Sequence, residues 1–254
     1  MDLAFLRDRG FRVYKANQLP TLSVAHQDFI TSLVAKYFYT KYTKSTNDLI
    51  PRYKSAEDVK VAVRSEKSVL GELSLLHLSI EHGLSMQTVV FIQNAQKTVS
   101  LIRLPIPLFL VEVLESLDLD LAFALQPVAL THDFVHKYVN GLKILISEDP
   151  SVMGQIDLVF SPRQALTGNS LRNILVTFPK EDSSSILQKE SPPLDCLYDW
   201  LAKTTTLKFK NLDVSSFSSR LVAIKTNTLT LANPLSLEDL WELLLKTVLE
   251  SVYI

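Results

Sequence analysis

Cysteine is nearly absent from this 254-residue chain, where Cys196 stands alone. A single thiol excludes an internal disulfide and a cysteine-based zinc site. Glycine is scarce too: six occur, and none forms G-x-G-x-x-G or G-x-x-x-x-G-K. Phosphate-cradling loops of those kinds are therefore missing. No G-x-S-x-G elbow supports a nucleophilic serine. No apolar run approaches the roughly 18–20 residues that a membrane helix needs. The N-terminal MDLAFLRDRGF places acids and bases around a very short apolar patch, unlike a secretory signal. A soluble intracellular protein without a cofactor is expected.

What is present describes a folded chain. Apolar residues make up 47% and charged residues 21%. A domain of this size hides roughly 70% of its unfolded surface, enough for a substantial core. The net charge of −1 hides an asymmetry: residues 1–67 hold twelve Lys/Arg against seven Asp/Glu, and the remainder is acidic. Such a split suits ordinary scatter of surface charge or a basic face turned towards an acidic partner, nucleic acid being the commonest.

Periodicity divides the chain. Residues 25–44 place Phe29, Ile30, Leu33, Val34, Tyr37 and Phe38 at helical spacing, which predicts an amphipathic helix. Its last turns interleave Lys36, Lys41 and Lys44 with Tyr37, Phe38, Tyr39 and Tyr42. Alternation predicts strands over 59–64 and parts of 70–80, then 88–93 and 99–104 around a short polar turn. Helices are expected over 109–117 and over 131–140, the latter with Thr131 as N-cap and Gly141 beyond its end. In the second half, 143–147, 156–161, 173–178, 206–209 and 220–225 read as strands, and 194–201 as a helix. The last segment, SLEDLWELLLKTVLESVYI, carries capping-box spacing at Ser236 and Asp239 and a wide apolar face. The expectation is an α+β fold: a largely antiparallel, curved β-sheet with flanking helices and a C-terminal apolar helix. An N-terminal portion of residues 1–100 and a portion of 101–254 are expected, as two domains or one continuous one.

Chemistry is hard to find in these residues. His132 and His136 have the i, i+4 spacing of a metal pair, with Asp133 between them. The glutamate of H-E-x-x-H is missing, and a solvated helix face explains the pair more simply. Cys196, beside Leu197 and Trp200, reads as a small buried apolar residue. In SLRNILVTFPKEDSSSIL, Lys180, Glu181 and Asp182 follow an apolar run as acid/base groups would. Proline ends a strand by lacking its N–H, however, and acids after it suit a helix N-terminus. That stretch is read as a boundary.

The same stretch carries a resemblance. LRNILVTFPKEDSSSIL resembles the strand, "I-P-R-E" and turn-or-helix segment of CENP-L-type kinetochore proteins, including budding-yeast members. Upstream, LPIPLFLVEVLESLDLDLAFALQPVALTHDFVHKYV is similar to that family's "P-φ-F-L" element, helix and "φ-x-P-φ-x-φ" strand, where φ is apolar. Downstream, PPLDCLYDWL, SRLVAIKT and the terminal apolar segment follow in order and spacing. Together these cover about residues 104–254.

The resemblance implies a non-enzymatic subunit of the constitutive centromere-associated network, in the nucleus at the centromeric kinetochore. Such proteins pair with a CENP-N-type protein, and the pair forms a basic vault around linker DNA near the CENP-A nucleosome. In yeast the pair supports chromosome segregation and pericentromeric cohesion. Other inner-kinetochore subunits are implied partners; whether the chain homodimerises when the partner is absent is left open by the sequence, an apolar C-terminal seam being compatible with it. The implied partner seam joins the strand residues Leu221, Val222 and Ile224 to Leu240, Leu244, Leu245 and Val248, whereas on the residues alone the helix covers the chain's own sheet. The expected phosphate contacts are Lys208, Lys210, Arg220 and Lys225, with Lys36, Lys41, Lys44, Arg52 and Lys54 from the basic N-terminal portion. Ala223 stands where vertebrate members carry arginine, and the following TNTLTLAN has no base. Two rivals remain: an adaptor or assembly-chaperone subunit of another nuclear complex without DNA binding, and an enzyme built on His132 and His136.

Overall fold

The computed structural model describes residues 3–43, 53–83, 85–95, 97–103, 124–162, 173–188, 191–232 and 238–253. Along the chain run β1 (Arg9–Ala16), α1 (Val24–Thr43), β2 (Ala62–Leu70), β3 (Leu73–His82), β4 (Ser85–Asn94), β5 (Lys97–Arg103) and β6 (Leu125–Pro127). After them come α2 (His132–Gly141), α3 (Lys143–Glu148), β7 (Ile156–Pro162), β8 (Ile174–Phe178), α4 (Lys180–Leu187) and α5 (Pro193–Thr204). The chain ends with β9 (Leu212–Ser218), β10 (Val222–Lys225), β11 (Thr228–Leu231) and α6 (Glu238–Val252). This is an α+β protein built on antiparallel sheet. No described helix is long and apolar enough to cross a membrane.

Two compact units divide at other places than residue 100: one holds Tyr14–Gln126, the other Met1–Val13 with Pro127–Ile254. In the first, β2, β3, β4 and β5 form a meander in unbroken register. Gly71 (φ 55°) supplies the left-handed backbone that the two-residue loop between β2 and β3 requires. One face of the meander receives α1. Ile30, Val34 and Phe38, one turn apart, pack with Leu76, Leu78, Val89, Phe91 and Ile102. The opposite face, with Leu73, Leu75, Val90, Ile92, Val99 and Leu101, is buried as completely. Burial on both faces is why these strands read as near-continuous apolar runs.

In the second unit the strand order is β1, β11, β10, β9, β7, β8. The strands belong to one open, uncurled sheet whose outer strands are β2 and β8, in place of the expected curvature. Helix α2 buries Phe134, Val135, Tyr138 and Val139. Helix α6 buries Leu240, Trp241, Leu244, Leu245, Val248 and Leu249. The two meet where the Tyr138 hydroxyl donates to the Leu244 carbonyl at 3.4 Å. Burial holds that phenol far above the usual tyrosine range.

Several expected elements differ. Residues 143–147 are not a strand but the helix α3. Leu142 and Ile146 are both buried, Ile144 is 65% exposed, and the Ile146 N–H donates to the Leu142 carbonyl. That is a helical repeat of burial, where a strand would have put all three on one face. Residues 206–209 are not a strand either, because Phe209 is drawn into the core against Phe160, 4.8 Å between ring centroids, and β9 starts at Leu212. Thr131 sits at the N-cap of α2, but its hydroxyl makes no capping bond. The expected helix over 109–117 and the Ser236 cap lie outside the described residues.

The contact between α2 and α6 yields a direct test. A Cβ on Gly141 would stand 2.8 Å from Thr247 Cγ2, and Thr247 is itself buried. Gly141→Ala should cost about 1–3 kcal/mol of stability through overpacking. Adding Thr247→Ser removes that methyl while retaining a hydroxyl, and should recover most of the loss in denaturant unfolding.

Candidate functional site

The expected partner seam lies inside the chain's own core. Leu221, Val222, Ile224, Leu244, Leu245 and Val248 are at most 1% exposed, and Leu240 is 4% exposed. Strand β10 is hydrogen-bonded on both sides, to β9 and to β11, so it presents no edge. The apolar alternation of β10 and the wide face of α6 are thus satisfied within the unit. A seam ready-made on the surface at these residues is corrected to a core.

An open edge exists elsewhere, in the stretch that carries the resemblance. Among the described residues β8 has one strand neighbour, β7, registered from Ile156 opposite Phe178 to Phe160 opposite Ile174. The strand stops at Pro179, which has no N–H to extend a ladder. Helix α4 starts immediately with Glu181 and Asp182 exposed in its first turn, and the Ser183 N–H donates to the Pro179 carbonyl. Ser183 is fully buried and donates to the Gly154 carbonyl at 2.6 Å. The ring of Phe178 meets Trp200 edge to face, 5.4 Å between centroids. Leu175, on the outward face of β8, is 65% exposed. Edge strands are usually blunted by charge, as β2 is with Arg64, Glu66 and Lys67 exposed. Strand β8, Ile-Leu-Val-Thr-Phe, has no charge.

The bases expected to meet DNA fall in both units. Lys36, Lys41 and Lys54 are exposed in the first; Lys44 and Arg52 lie outside the described residues. In the second, Lys208, Lys210, Arg220 and Lys225 are exposed. The Lys210 ammonium is held by the Asp199 carboxylate at 3.1 Å. Arg220 lies in the turn that precedes β10, and Lys225 is the last residue of that strand.

The histidine pair has a structural setting. The rings of His132 and His136 lie 6.0 Å apart, centroid to centroid. His132 Nδ1 accepts the Val214 N–H at 3.0 Å, tying α2 to β9, and His136 Nε2 lies 3.4 Å from the Asp195 carboxylate. Among the described residues no three His, Cys, Asp or Glu side chains gather to hold a metal. A cleft of about 610 Å³ opens beside His132, with Asp133, Asp213 and Asn227 in its wall.

An aromatic cluster that pattern reading did not single out closes the end of α1. The His82 ring stacks on Phe38 with centroids 4.0 Å apart, Tyr42 packs against both, and Tyr53 joins Tyr42. Burial lowers the His82 pKa below the ordinary imidazole value and raises that of Tyr42. The interleaved aromatics of 37–42 thus serve packing in part. No family model matches this chain, and no curated protein is similar to it.

The burial of His82 predicts a stability of the first unit that falls in acid. Unfolded His82 takes a proton near pH ~6.5, whereas folded His82 resists it to lower pH. Its contribution is therefore complete above about pH 6.5 and declines as pH falls below that value. Denaturant midpoints at neutral and mildly acidic pH should show this loss, and His82→Phe should reduce the slope.

Proposed function

We propose that this chain is a non-enzymatic inner-kinetochore subunit of the CENP-L type, paired with a CENP-N-type protein near centromeric DNA. The observation that carries the reading is the run β8, Pro179, α4, α5, β10 and α6. The motifs of the resemblance fall on these elements in order. The short uncharged edge of β8 supports pairing with an extended segment of the partner, whose backbone would complete the ladder. The exposed bases Lys41, Lys54, Lys208, Arg220 and Lys225 supply sequence-independent phosphate contacts. Lys210 contributes less, because Asp199 already neutralises it.

One observation favours a second reading, an adaptor or assembly-chaperone subunit of another nuclear complex. The bases of the second unit are scattered, and one is paired within the chain. Such a subunit would keep the open edge and lack salt-dependent DNA binding.

The tagged full chain, purified from its native cells, should bring a CENP-N-type protein near one-to-one with other inner-kinetochore subunits. Leu175→Glu should reduce that co-purification by about tenfold or more, while an exposed site leaves unfolding within about 0.5 kcal/mol of wild type. A different stoichiometric partner would remove the kinetochore reading. Undiminished capture by the variant would remove β8 from the interface.

A further inference from the structure

Serine is followed directly by proline at two places in the chain, Ser161–Pro162 and Ser191–Pro192. The fold treats the two differently. Ser161 belongs to β7, which is paired on both sides, to β8 and to β9. Its hydroxyl bonds Asn173 Oδ1 at 2.8 Å and Ser215 Oγ at 2.9 Å. Ser191 lies outside the sheet, between α4 and α5, and is exposed. Its carbonyl accepts from the Cys196 thiol at 3.5 Å, while its hydroxyl has no partner among the described residues. The serines of α4 are less available. Ser183 is fully buried, and the Ser184 hydroxyl donates to the Lys180 carbonyl at 2.8 Å.

Proline also fixes the backbone around Ser191. A residue before proline is kept out of the helical region and held extended. Pro192 is itself extended, at φ −55° and ψ 141°, and α5 begins only at Pro193. The start of that helix is tied down, since the Leu194 N–H donates to Asn140 Oδ1 at 2.9 Å and the Cys196 N–H to the Pro192 carbonyl at 3.0 Å. A free hydroxyl on extended backbone is the form in which a protein kinase takes its substrate. Proline after the serine restricts the choice of kinase, because its ring needs an apolar pocket and it offers no N–H to bond.

We propose that Ser191 is a phosphorylation site for a proline-directed protein kinase using magnesium ATP. The Ser191 oxygen attacks the γ-phosphorus, the bond from that phosphorus to the β,γ-bridging oxygen breaks, and ADP leaves. The hydroxyl proton passes to the kinase's catalytic carboxylate. The product adds roughly −1.5 to −2 of charge ahead of the first turn of α5. That end of a helix favours negative charge, whereas Asp195 within the turn opposes it, so the modified chain keeps its fold. The mark alters the surface and not the architecture. It does not rest on the kinetochore reading, and a failure there leaves it standing.

The test incubates the folded full chain with magnesium ATP and either a cyclin-dependent or a mitogen-activated protein kinase, and maps phosphate by mass spectrometry. Short synthetic peptides spanning each Ser–Pro serve as unfolded controls. Both peptides should accept phosphate, but in the folded chain Ser191 should accept it and Ser161 should not. Pro192→Ala should lower the Ser191 signal by about tenfold or more, and Ser191→Glu should leave the thermal midpoint unchanged. The chain purified from its native cells under phosphatase inhibition should carry phosphate on Ser191. A folded chain that stays unmodified at Ser191 while its peptide reacts, equal modification of Ser161, or native protein without phosphate at Ser191 would each overturn the inference.

Discussion

Backbone pairing is the constraint on which the second unit depends. A strand satisfied on both sides belongs to the interior, and a strand satisfied on one side must answer for its other row of N–H and C=O groups. β10 is of the first kind, between β9 and β11, and β8 is of the second among the described residues. Side-chain burial follows the face instead: Val222 and Ile224 of β10 are buried and Lys225 is exposed, while on β8 Phe178 is buried and Leu175 is exposed. The terminal helix follows too, since Leu244, Leu245 and Val248 bury their surface inside the unit to which β10 belongs.

The first unit solves the same problem differently. Its meander is buried on both faces, one of them by α1, and its outer strand β2 carries charge along its length. Helix α1 spends its inner face on the sheet and leaves Phe29 45% exposed on the outside.

Much of the fold was legible in the sequence. The hairpin of β4 and β5 was foreshadowed by two apolar runs around Asn94–Lys97, and the end of β8 by Pro179, because local chemistry determines both. Strands β1 and β9 were not legible: RGFRVYKA reads as a basic segment and LDVSSFS as a polar one, and long-range pairing makes them strands. The partner seam failed for a related reason. A wide apolar helix face looks the same in sequence whether it meets another chain or its own α2. Charge was legible but its use was not, since nothing near Lys210 in sequence announces Asp199.

Hydrogen–deuterium exchange on the chain alone and in its native complex tests the central claim most directly. The account predicts that amides of Ile174–Phe178 gain protection on complex formation, while those of Val222–Lys225 are protected alike in both states. Protection gained at β10 and α6, with β8 unchanged, would contradict it.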